Sequence, residues 1–173
     1  MLVKLWLIRH AKSDWDSGAA RDFDRPLNGR GERDGPRMAA WLAGQDRPAT
    51  WIWTSDAVRA LSTARFVAAG FAAAGPRVVE EHRLYNAPPE TILDVIRATP
   101  PDVTAVAVVA HNPGMTQILN LLAGETVTVN LPTFGVARLD LPGDWPDAAF
   151  GTATVDLTMR PKALPDAGGD SLD

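Results

Sequence analysis

Apolar residues in this chain fall into two spacings that take turns along its length. Leu2 to Ile8, reading L-V-K-L-W-L-I, is an almost unbroken apolar run with the length of a strand covered on both faces. Ser13 to Leu27, rich in Asp, Gly and Arg, reads as a long loop, and long loops in compact domains are often functional. Asn28 is placed to cap the next helix, which would turn Met38, Trp41 and Leu42 inward, while Pro36 is expected to kink or split it. Trp51 to Thr54 is a short strand. Ser55 is the expected cap of a second helix, with Ala57, Leu61, Ala64, Ala68 and Phe71 at helical spacing and Arg59 in its first turns. Arg77 to Glu81 reads as a strand. Pro88 and Pro89 announce a helix over Glu90 to Ala98, with Ile92, Val95 and Ile96 inward. Thr104 to Ala110 is a Val-rich strand bounded by Pro100-Pro101 and by His111-Asn112-Pro113-Gly114, and a helix follows from about Met115 to Leu122. Gly135 to Leu141 and Phe150 to Met159 are two strands with no helix between them, hence an antiparallel pair at one sheet edge. The sum is an α/β domain with helices on both faces of a mainly parallel central sheet, a fold that binds ligands outside the carboxyl ends of its strands.

Composition narrows the partners. At 173 residues, 46% hydrophobic and with six Trp, the chain suits one domain over residues 1–165. Residues 166–173, acidic and Gly-rich without periodicity, read as a loose, flexible tail. A net charge of −4 with no Lys/Arg cluster argues against nucleic acid as partner. The absence of cysteine excludes disulfides, thiolate metal sites and cysteine nucleophiles. No run approaches the ~20 apolar residues that span a bilayer, and Met1 to Ile8 is too short for a signal segment. The expectation is a cytoplasmic protein with no membrane partner.

The candidate chemistry lies where strands end. Arg9-His10 directly follows the first strand and His111 follows the fourth in the same manner, while Arg59 opens the helix after the second. A single His or Arg at such a place is more often a surface or capping residue; four at one rim suit attack on phosphorus, with a neutral imidazole supplying the lone pair and guanidiniums holding the oxygens. His10 is then the expected nucleophile, with a backbone carbonyl on its other ring nitrogen, and His111 a donor to the same oxygens. The helix after Pro113 would aim backbone N–H groups at the anion. A metal site is the competitor. The chain has no H-E-x-x-H pattern, and His82 follows the third strand without a carboxylate set at ligand spacing, so His82 is expected to be structural or exposed. Gly29 to Asp34, G-R-G-E-R-D, lacks the third glycine of a dinucleotide fingerprint and reads as a helix start.

Four ordered motifs, Arg9-His10-Ala11-Lys12-Ser13, the R-P-L-N-x-R-G stretch from Arg25 to Gly31, S-D-A-V-R-A from Ser55 to Ala60, and H-N-P-G from His111, resemble the histidine phosphatase superfamily. Within it the chain looks most like the small SixA-type phosphohistidine phosphatases. The resemblance spans about Leu2 to Met159. It implies a phosphoglycerate mutase-like three-layer α/β/α sandwich, with His10 as phosphate acceptor, Arg9, Arg59 and His111 completing the phosphate pocket, and no cofactor or metal. Ser13 and Asn112, inside these motifs, join the expected phosphate-binding set. Larger members carry an acidic proton donor in an L-x-E context, followed by an inserted subdomain. The comparable stretch here is Arg83-Leu84-Tyr85-Asn86-Ala87, with no acid and little room for an insertion. Glu90, Glu81, Asp14 and Asp16 remain candidate donors. An alkyl ester needs its departing alkoxide protonated, whereas phosphohistidine has a labile P–N bond and a leaving imidazole that carries its own proton. The expected substrate is therefore phosphohistidine on a protein. The alternatives are a small-molecule phosphomonoesterase and a phosphate-binding module with little turnover.

Overall fold

The computed structural model describes residues 2–165, so the tail expected over residues 166–173 lies outside the described residues. Six strands form one sheet in the order β3-β2-β4-β1-β5-β6. The strands are β1 (Leu2–Arg9), β2 (Trp51–Thr54), β3 (Arg77–Glu80), β4 (Ala105–Ala110), β5 (Val136–Pro142) and β6 (Thr154–Met159). The helices are α1 (Gly29–Ala43), α2 (Val58–Gly70), α3 (Pro89–Arg97) and α4 (Gly114–Ala123). The first four strands run parallel, and β5 pairs antiparallel to both β1 and β6, which gives the mainly parallel sheet with an antiparallel edge.

Alternation at period two divides the strands between two cores. Leu5 and Leu7 of β1 and Val106 and Val108 of β4 pack with Ile92, Ile96, Ile118 and Leu122 of α3 and α4. Trp6, Ile8, Ala107 and Val109 face the other way, onto Met38, Leu42, Ala64, Val67 and Phe71 beside α1 and α2. Burial on both faces is why β1 and β4 read as continuous apolar runs.

Several expectations change in detail. Pro36 neither splits nor ends α1, which runs unbroken through it. Pro36 and Glu32, whose carbonyl loses its helical partner, both lie on the exposed side, where the cost of the missing bond is least. Ser55 does not cap α2; the residue before that helix is Ala57, with no side-chain cap. The buried stripe of α2 is Ala60, Thr63, Ala64 and Val67, with Arg59 at its start, whereas Leu61 and Ala68 are only half-buried. In an alanine-rich helix apolar residues sit nearly all round, so spacing alone misplaces the face. The last strand begins at Thr154 rather than Phe150. Asn28 does cap α1, its side chain accepting from Gly31 N at 2.9 Å.

Two glycines allow the close approaches that place the cleft. A Cβ on Gly31 would lie 2.2 Å from the Lys12 carbonyl, so the start of α1 sits directly on the segment that follows His10. A Cβ on Gly114 would meet the Ala87 carbonyl at 2.2 Å, bringing α4 against the loop that carries Tyr85 and Asn86.

Candidate active site

The parallel register puts Arg9 opposite Ala110 and Thr54 opposite Val109, so His10, Ser55 and His111 each stand one residue past the end of neighbouring strands. Backbone bonds from His10 N to Ala110 O (3.1 Å) and Ser55 N to Val109 O (3.0 Å) extend the ladder that far. The loop between β1 and α1 is closed at its neck by a Ser13–Leu27 bridge and by Asn28 N on Lys12 O at 3.0 Å. These elements enclose an open cleft of about 290 Å³, and Arg9, His10, Ser13, Arg59, His111 and Asn112 all line it.

The two imidazoles stand with ring centroids 5.3 Å apart. His10 Nδ1 lies 2.7 Å from the Ala11 carbonyl. A carbonyl only accepts, so Nδ1 carries the proton and Nε2 keeps its lone pair. Burial, then the charges of Arg59, Arg9 and Arg25, press the His10 pKa down to about 3 against the pull of that carbonyl. His111 is lowered to about 3 by burial, by His10 and by Arg59. Both rings are therefore neutral at pH 7.

Arg59 donates to the Asp22 carbonyl (2.8 Å) and carboxylate (2.9 Å), and Arg9 donates to the Leu131 carbonyl at 3.0 Å. Asp22 also accepts from Arg25 Nε at 3.0 Å and the Tyr85 hydroxyl at 2.7 Å. Burial opposes its ionisation, but the bonds from Tyr85, Arg59 and Arg25 hold its pKa at about 2. Ser13 accepts from Arg25 Nη1 at 2.5 Å, which braces that guanidinium and leaves the serine's own O–H to donate. The Asn112 amide donates to Asn130 and Leu131 and accepts from the Thr116 N–H and hydroxyl, leaving it no free group.

None of the four carboxylates held open as proton donors lines the cleft. Glu81 caps a short turn and pairs with Arg83 at 3.0 Å, Asp14 accepts from the Asp16 backbone at 2.8 Å, and Glu90 sits exposed at the start of α3. Among the described residues Asp22 is the cleft's one carboxylate, and sequence reasoning passed over it together with Arg25, Tyr85 and Ser55. Arg25 and Ser55 had a signal, their places in the R-P-L-N and S-D-A-V-R-A stretches. His82 is exposed, its Nδ1 2.9 Å from Asp56. Among the described residues, no group of three or more His, Asp or Glu side chains is placed to hold a metal ion. No helix there is long and apolar enough to cross a membrane.

The buried neutral histidines make stability fall with acid. In the unfolded chain they take up protons near pH 6.5, whereas in the fold they resist until about pH 3, so the native state binds fewer protons across that window. Asp22 acts in the same direction at lower pH, from its ordinary 3.8 down to about 2. The melting temperature is expected to drop steadily from pH 7 to 4. A His10→Gln/His111→Gln variant should show a flatter profile by circular dichroism, and parallel profiles would contradict the assignment.

Residues 5–86 match the model of the histidine phosphatase superfamily (branch 1). An uncharacterized protein of Mycobacterium tuberculosis is 32% identical over 157 residues, covering 86% of this chain and 96% of its own. An uncharacterized chloroplastic protein of Arabidopsis thaliana is 30% identical, covering 85% and 70%. Two solved structures bear the name phosphohistidine phosphatase SixA. The one from Agrobacterium tumefaciens has a TM-score of 0.78 at 29% identity, covering 91% of this chain and 97% of its own. The one from Nakamurella has 0.81 at 25%, covering 94% and 98%. With the motifs in order, the sheet topology matched and the imidazoles and guanidiniums gathered at one cleft, the chain belongs to the histidine phosphatase superfamily and is a phosphatase.

Proposed function

We propose that this phosphatase works without a metal, through a phosphorylated His10, on phosphohistidine borne by another protein that it meets in the cytoplasm. One observation carries the reading. Among the described residues, four buried side-chain nitrogens lack a hydrogen-bond partner, and three of them, Arg9 Nε, Arg59 Nε and His111 Nδ1, belong to side chains that line the cleft. Buried donors are seldom left unsatisfied, and donors held in a dry site await the charge they are to bind. They share the cleft with His10, whose Nε2 keeps its lone pair.

In the first step His10 Nε2 attacks phosphorus, forming a P–N bond as the bond to the leaving group breaks, while Arg9, Arg59 and His111 hold the charge on the remaining oxygens. Water then attacks the phosphoryl group, releasing phosphate and neutral His10. Asp22, ionised and braced by three donors, has no proton to give. A departing imidazole takes its proton on its own ring and an alkoxide has no such resort, which favours a P–N substrate. The cleft is open, and Trp15 beside it, 73% exposed with Arg25 3.6 Å from its ring, offers an apolar lip to a protein surface.

Purified protein is expected to dephosphorylate a phosphohistidine protein in the presence of chelator, and faster than it hydrolyses sugar phosphates. An intact phosphohistidine protein beside brisk sugar-phosphate hydrolysis would make it a small-molecule phosphomonoesterase. Phosphate binding with turnover of neither would make it a binding module.

A further inference from the structure

We propose that Ser55 is a positioning residue that fixes which nitrogen of His111 carries the proton, keeping the ring's donor turned to the phosphoryl group. This rests on the reading above that His111 donates to the substrate. Ser55 is fully buried, and its Oγ lies 2.7 Å from His111 Nε2. The same oxygen accepts the Ala57 N–H at 3.2 Å, which spends one of its lone pairs.

Two tautomers of the neutral ring are possible, and the surroundings distinguish them. With the proton on Nε2, His111 would donate to Ser55, the serine hydrogen would lose its one acceptor among the described residues, and Nδ1 would turn a lone pair toward the anion. With the proton on Nδ1, the Ser55 hydroxyl donates to Nε2, and the buried, unpartnered Nδ1–H becomes a donor for substrate oxygen. Only the second arrangement satisfies every group once phosphate is bound. His111 is 3% exposed, so water has little access to substitute for the serine. The ring is further set by Tyr85, which meets it edge-on at 5.5 Å, and by His10 at 5.3 Å. These contacts hold its plane but do not choose its proton.

The chain has only three histidines, His10, His82 and His111, so nitrogen-15 spectra of histidine-labelled protein are assignable by single substitution. The expected wild-type spectrum shows His111 protonated at Nδ1. Ser55→Ala should shift it toward the Nε2 form and lower kcat by about ten- to a hundredfold, more than it changes KM. Ser55→Thr, which restores a hydroxyl, should recover the Nδ1 form and most of the rate. A wild-type ring protonated at Nε2, or a Ser55→Ala protein with unchanged tautomer and turnover, would overturn the proposal. His111→Ala within a fewfold of wild-type turnover would instead sink the underlying reading of His111 and leave the tautomer result standing.

Discussion

Replacing His10 by alanine is expected to lower turnover by on the order of 10⁴-fold or more, because the imidazole proposed to attack phosphorus is removed and the neighbouring His111 holds its Nε2 against Ser55. The chain has no cysteine, the Ser13 oxygen accepts from Arg25, and Ser55 is buried against His111. Asp22, the cleft's one carboxylate among the described residues, lies bound to two guanidiniums and a phenol. The fold should survive. His10 follows the last residue of β1, and among the described residues its side chain makes one hydrogen bond, to its neighbour's carbonyl. Loss of activity with a melting curve close to wild type is the expected pair of results. Brief exposure of the wild-type protein to phosphorylated substrate should trap a label that is acid-labile and base-stable, and the alanine variant should trap none. Label on serine or aspartate would refute the assignment.

Arg59→Ala should reduce kcat/KM by roughly 10²- to 10³-fold, the usual loss when a fixed donor to developing charge is removed from a dry site. It should also lower the melting temperature, because the carbonyl and the carboxylate of Asp22 both lose a partner. Arg59→Lys is expected to rescue little. One ammonium cannot span both Asp22 acceptors and keep a further N–H unpaired, as the guanidinium does with its buried Nε. Steady-state kinetics with a chromogenic aryl phosphate, alongside thermal melts, checks both effects. An alanine variant within threefold of wild type would show that Arg59 serves only to brace the loop.

What the chain discloses by itself is what strand and helix periodicity control. The Arg9-His10 and His111 placements follow from β1 and β4 being covered on both faces, which makes their ends plain in the sequence. Asn28 was legible because a cap acts within one turn. Ser55 was misread because a serine just before a helix looks like a cap whatever lies above it in space; its partner is 56 positions away. Asp22 and Tyr85 escaped for the same reason, since a carboxylate in an acidic loop and a lone tyrosine give no local sign that they will meet across 63 positions and brace a guanidinium. The face of α2 was misjudged because alanine marks inside and outside almost equally.

The make-up of the cleft lining bears on how a partner arrives. Arg9, Lys12, Arg25 and Arg59 set four cations against the single anion Asp22, on a molecule whose total formal charge is −4. The cleft is thus a positive mouth on a molecule of negative total charge, which attracts anions toward it over a distance. A phosphorylated partner is drawn toward the face where His10 stands, so its orientation begins during diffusion, before any contact is made.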